Sequence, residues 1–224
     1  MRNTEQSRKA LQGLFSARQT HPVIKLCGMT RAEDIQAVNT AKPTFCGFII
    51  NVPKSKRNLT PAQQTTLVTN LSASIYSVGV LVDEPIESAV SLAQSDCFDA
   101  LQLHGNEDNR YIQAIKKQVS IPIIQAFQIH EGFNFGIVEN SLADMVLLDS
   151  GSGSGKPFEW NIVPQTIRPF FLAGGLTPQT IPQAIEHVHP WGLDLSSGIE
   201  RNGYKDKEKI MEAVAAVKQT SSAR

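Results

Sequence analysis

From Val23 onward, short apolar runs rich in β-formers alternate with longer stretches whose apolar residues recur every three to four positions. The runs predict strands over Val23–Cys27, Thr44–Ile50, Ile75–Val82, Asp99–His104, Ile121–Ala126, Ala143–Asp149, Pro169–Ala173 and Trp191–Leu195. Helices are expected between and after them, over Arg31–Ala41, Pro61–Leu71, Pro85–Gln94, Glu107–Gln118, Glu131–Asn140, Trp160–Pro164, Pro178–His187 and Asp206–Lys218. Thr60-Pro61 and Thr177-Pro178 each put a capping hydroxyl before a first-turn proline.

Strand-then-helix alternation implies a parallel sheet with helical crossovers. An open dinucleotide-binding sheet would carry Gly-x-Gly-x-x-Gly after its first strand, but Cys27-Gly28-Met29-Thr30 stands there. Polar residues close several strands: Cys27, Asp83, His104, Asp149 and Ser196. That pattern suits a closed barrel whose active site is pooled from many strand ends. The expected fold is a single α/β (β/α)8 barrel over residues 23–224, preceded by a short, helical N-terminal extension over residues 1–22.

The extension has four basic residues, Arg2, Arg8, Lys9 and Arg18, and one acid, Glu5. Leu11, Leu14 and Phe15 share one helical face. A helix docked on the barrel's N-terminal end, a frayed tail and an Arg-rich targeting peptide are all consistent with this. Over the whole chain charge is balanced at 21 basic and 21 acidic residues. Neither nucleic acid nor membrane is therefore expected as a partner. No run approaches the ~18 apolar residues of a spanning helix, and no secretory signal is expected. Three widely spaced cysteines, Cys27, Cys46 and Cys97, argue against a disulfide framework or a zinc site. The expectation is free thiols in the cytoplasm.

Alternation along the first strand turns Val23, Lys25 and Cys27 inward, with Lys25 one layer below Cys27. A buried lysine needs partners, and its charge would lower the thiol pKa from ~8.5. The bland alternative for Cys27 is a small buried hydrophobe, which is also the reading for Cys46 and Cys97. Asp149 closes Met145-Val146-Leu147-Leu148. It is either a turn residue or an acid whose pKa burial raises. Gly174-Gly175 and Ser196-Ser197-Gly198 follow the seventh and eighth strands, where barrels bind phosphate on free backbone N–H groups. Lys54, Lys56 and Arg57, after the second strand, are either solvated charge or a second anion site.

Seven stretches in order resemble the phosphoribosylanthranilate isomerase family: IKLCGMT, CGFIINVPKSKRNLTP, VGVLVDEP, LQLHGNE, LLDSGSGSGKPFEW, LAGGLTPQTI and LDLSSGIERNGYKD. The resemblance spans about Val23 to Lys218. SGSGK stands where GGTGK is common, and FEW where FDW is usual. It implies a cofactor-free, metal-free Amadori rearrangement of a small phosphosugar in tryptophan biosynthesis, by a monomer or homodimer. Cys27 would be the general base and Asp149 the general acid. Arg57 would pair with the anthranilate carboxylate. Lys25, Gln102 and His104 would serve the pocket. Gly174, Gly175, Asp194, Ser196, Ser197 and Gly198 would build the phosphate end, with Asp194 bonding a ribose hydroxyl. The related histidine-pathway isomerase has an aspartate where Cys27 stands. A dual-substrate enzyme and a non-catalytic phosphosugar sensor stay open.

Overall fold

The structure is a computed structural model and describes residues 5–17, 19, 21–151, 160–165 and 167–222. Eight parallel strands close into a barrel: Val23–Cys27, Phe45–Ile50, Tyr76–Leu81, Ala100–Leu103, Ile123–Gln128, Met145–Asp149, Phe170–Ala173 and Gly192–Leu195. Closure comes from the first strand, which pairs on one side with the second and on the other with the eighth.

All eight expected strands form, with ends shifted by up to two residues. The fifth starts late because Pro122 has no N–H to give the ladder. The fifth and sixth crossovers are shorter than the periodicity suggested. One is the single turn Gly136–Glu139, the other a 3-10 turn over Trp160–Ile162. Thr60 caps its helix as expected, accepting from Gln63 N. Thr177-Pro178 does not start the seventh helix. Those residues form a turn closed by Thr180 N donating to Thr177 O at 3.1 Å, and the helix begins at Ile181.

Alternation sorts the side chains into two cores. Ile24, Leu26, Cys46, Phe48 and Ile50 face outward and pack under the helices. Phe45, Val78, Ile124, Leu147, Phe171 and Trp191 fill the barrel interior at its N-terminal end. The extension forms a helix over Glu5–Ser16. Its Leu11 and Phe15 are buried in that interior core. Phe15 meets Trp191 edge-on at 5.5 Å, and Arg8 Nη1 donates to Ser120 Oγ at 2.9 Å. The N-terminal end is therefore plugged and apolar, which leaves the C-terminal rim for chemistry.

Candidate active site

A cavity of about 300 Å³ opens at that rim. Cys27, Arg57, Gln102, His104, Asp149, Gly174, Gly175, Asp194, Ser196 and Ser197 line it, with Ile49, Val80, Val82 and Leu176 as apolar wall. Two expected members do not reach it. Lys25 is fully buried below Cys27 and donates to Asp194 Oδ2 at 2.7 Å. The two residues are direct neighbours across the first and eighth strands, so barrel closure makes the pair. Gly198 lies behind the cavity. A Cβ there would come 1.8 Å from Leu176 O, so this glycine lets the seventh and eighth loops touch. Asp83, another strand-end acid, braces the rim instead, accepting from Asn106 N and Nδ2.

Cys27 is buried. Burial pushes its thiol up; the Lys25 charge opposes this and the Asp194 charge adds to it, and the net direction is upward. The expected lowering by Lys25 is present but outweighed, first by burial and then by the added Asp194 charge. Asp149 departs from expectation in the opposite sense. Burial pushes its carboxyl up, yet hydrogen bonds from His104 and Gly151 prevail and hold it below the ordinary range. Gly151 N donates to Oδ1 at 2.9 Å, and His104 Nε2 lies 3.3 Å from Oδ2. Gln102 Nε2 faces His104 Nδ1 at 2.8 Å. With the amide donating, the imidazole keeps its proton on Nε2, facing Asp149. Unliganded, the pair is therefore a thiol and a carboxylate.

Two buried acceptors on residues that line the cavity lack a partner among the described residues, Gln102 Oε1 and Asp194 Oδ1. A buried acceptor left unpaired is costly, so both suit donors on a ligand. Gly174 and Gly175 have φ of +98° and +63°, and a Cβ on Gly174 would sit 1.9 Å from Ser150 Oγ. Only glycine fits that turn. Residues 152–159, with most of the quoted GSGSGK stretch, lie outside the described residues.

Arg57 reaches the cavity, whereas Lys54 is exposed. Sequence reasoning assigned no role to what holds Arg57. Glu200 Oε1 accepts from Arg57 Nε at 2.6 Å and from Lys205 Nζ at 3.0 Å, and Oε2 from Lys56 Nζ at 3.1 Å. Burial pushes the Glu200 carboxyl up, but these bonds bring it down to about 2. Lys205 Nζ also donates to Ser196 O at 2.8 Å. A signal was available: Asn202-Gly203 is a two-residue hairpin turn, and it sets Glu200 directly opposite Lys205.

Comparison with known proteins shows the family. The family model for N-(5'-phosphoribosyl)anthranilate (PRA) isomerase matches residues 24–216. The chain belongs to the phosphoribosylanthranilate isomerase family. It is 38% identical over 198 residues to the N-(5'-phosphoribosyl)anthranilate isomerase of Endomicrobium trichonymphae, covering 86% of this chain and 96% of that one. The structure of TrpF from Jonesia denitrificans superposes with a TM-score of 0.77 at 32% identity, over 91% of this chain and 100% of that one. A phosphoribosyl anthranilate isomerase solved with reduced 1-(o-carboxyphenylamino)-1-deoxyribulose 5-phosphate superposes with a TM-score of 0.74 at 27% identity, over 88% and 99% of the two chains. The family match begins inside the first strand, so the helix Glu5–Ser16 lies outside it.

Proposed function

We propose that this chain performs its family's isomerisation, turning N-(5-phosphoribosyl)anthranilate into 1-(2-carboxyphenylamino)-1-deoxyribulose 5-phosphate, with Cys27 as base and Asp149 as acid. The observation that carries this is the convergence of Cys27, Asp149, Arg57 and two backbone-rich loops on one cavity. The thiol first yields its proton and the carboxylate gains one, a shift that leaves net charge unchanged. Asp149 then protonates the furanose ring oxygen. The C1′–O bond breaks and the anilino nitrogen's electron pair forms an iminium. Cys27 thiolate removes the C2′ proton, and that C–H pair neutralises the iminium to give an enolamine. Loss of the enol proton and protonation at C1′ yield the ketone.

The remaining groups bind. Arg57 would hold the carboxylate bidentately. The backbone N–H groups around Gly174-Gly175 and Ser196-Ser197 would hold the phosphate. The unpaired Asp194 Oδ1 would accept a ribose hydroxyl, while Lys25 acts from below as the counter-ion of Asp194. We further propose that residues 23–224 form the catalytic domain and residues 1–22 a stabilising plug, and that the protein works as a monomer or homodimer in the cytoplasm. Three unbridged cysteines support a reducing compartment, and no described helix is long and apolar enough to cross a membrane. The test is the decay of fluorescence when the protein meets freshly made phosphoribosylanthranilate. No decay above the uncatalysed rate would refute the assignment.

A further inference from the structure

The arginine that meets the substrate's aromatic half is itself gripped. We propose that Glu200 is a positioning residue, holding Arg57 by its inner edge so that its outer edge reads the carboxylate, with Lys205 tying that grip to the phosphate loop. The proposal rests on the reading of Arg57 as the carboxylate site.

A guanidinium offers its donors in a rigid planar fork. Glu200 takes Nε at 2.6 Å. Nη1 and Nη2 have no partner among the described residues. Those two nitrogens form the end-on edge that matches both oxygens of a carboxylate. The side chain of Arg57 is 20% exposed and lines the cavity, while that of Glu200 is 8% exposed, so the grip on Nε is made by the more enclosed partner.

The stem is fixed as well. Arg57 Cδ lies 2.5 Å from where a Cβ on Gly28 would sit. Gly28 has φ of +82°. The glycine after the candidate base thus serves both a left-handed turn and the passage of Arg57 over the rim. This places the guanidinium beside the end of the Cys27 strand.

Glu200 is held in turn. The side chain of Lys205 is 2% exposed and donates to Glu200 Oε1, to Ser196 O and, at 3.3 Å, to Ser196 Oγ. Ser196 Oγ donates to the carbonyl of Cys27 at 3.2 Å. One continuous set of hydrogen bonds therefore joins the carboxylate-reading arginine, the phosphate loop and the backbone of the candidate base. Within that set Lys56, Arg57 and Lys205 face the single acid Glu200. Cationic excess remains for an incoming anion, while the orientation of Arg57 is set before the ligand arrives. Preorganisation of this kind raises affinity by removing the cost of ordering a long side chain on binding.

A merely structural brace would make a different prediction, and calorimetry separates the two. The ligands are reduced 1-(o-carboxyphenylamino)-1-deoxyribulose 5-phosphate and its counterpart lacking the carboxyl group. The proteins are the parent chain, Arg57→Ala, Glu200→Gln, Glu200→Asp and the double variant Arg57→Ala/Glu200→Gln. Glu200→Gln is expected to weaken the carboxylated ligand about tenfold or more, since a misaligned bidentate contact loses most of its value, and the carboxyl-free ligand less than about twofold. The double variant should bind no more weakly than Arg57→Ala alone. Glu200→Asp keeps the charge but shortens the reach, and should show the same selectivity at about threefold; it decides the matter if Glu200→Gln does not fold. Equal losses for both ligands, or no loss for either, would overturn the proposal. If Arg57→Ala is selective for the carboxylated ligand and the Glu200 variants are not, only the positioning role falls. A non-selective Arg57→Ala would sink the carboxylate reading and the proposal together.

Discussion

The two ends of the barrel are built from the same eight strands and have opposite characters. At the N-terminal end Phe45, Phe171 and Trp191 meet within 5.0–6.4 Å of one another, and Leu11 and Phe15 of the extension close over them. At the C-terminal end the inward residues are Cys27, Gln102, Asp149, Asp194 and Ser196. Between the ends Lys25, fully buried, forms an ion pair with the nearly buried Asp194. The contrast separates stability from chemistry within single strands. An aromatic layer needs only to exclude water, whereas a rim of polar groups must keep partly unsatisfied atoms ready for a ligand, which costs stability.

The sharpest way to break the contrast is at the rim. Cys27→Ser and Asp149→Asn should each lower kcat by about 10²–10⁴, with binding of the reduced product analogue largely kept and Tm little changed. Near-normal turnover in Cys27→Ser would return the cysteine to the role of a small buried hydrophobe. Next comes the anion site: Arg57→Ala should cost roughly 2–5 kcal/mol in kcat/KM, whereas the exposed Lys54→Ala should cost less than about 1 kcal/mol. Equal effects would reduce the whole loop to solvated charge.

At the other end, Leu11→Ala should lose about 2–5 kcal/mol of unfolding free energy, because the side chain is wholly buried, while kcat/KM at 25 °C stays put. Deleting residues 1–20 should lower Tm in the same way. A fall in turnover with the fold intact would show that the plug reaches the chemistry.

The smallest expected effect is that of pH. The thiol of Cys27 is displaced upward and the carboxyl of Asp149 downward, so the productive thiolate and carboxylic acid form by moving one proton within the pair. Between the two pKa values that population does not change with pH. Below the carboxyl's pKa the thiolate is lost with no gain in acid. Above the thiol's pKa the acid is lost with no gain in thiolate. The rate profile should therefore be flat through neutrality with limbs far apart, and alkylation of Cys27 in the free enzyme should be slow at neutral pH and accelerate in alkali. A narrow bell centred near neutrality would contradict these directions.

Periodicity made all eight strands and most crossovers legible, because alternation in a strand and the helical repeat are local properties of the chain. It overestimated the fifth and sixth crossovers; in the fifth, Gly132 and Gly136 lower the helix propensity of the segment, and only Gly136–Glu139 is helical. The site was legible as residue types at strand ends and through resemblance to a family. What each residue touches was not. Lys25 was turned inward by alternation, but that its partner is Asp194 follows only from closure of the first strand on the eighth.

The sequence by itself determined the order of strands and helices, the faces they bury, the apolar stripe of the extension and the identity of the groups at the rim. Tertiary structure alone decided which of those groups share a cavity, that Glu200 and Lys205 belong with Arg57 and Ser196, and which way Cys27 and Asp149 are shifted. The physical reason is range. Side-chain direction is set within a few residues along the chain, whereas desolvation, ion pairing and hydrogen bonding depend on groups brought together from 143 residues away for Arg57 and Glu200 and 169 for Lys25 and Asp194. Only the closed barrel sets those distances, and with them the balance of burial against charge.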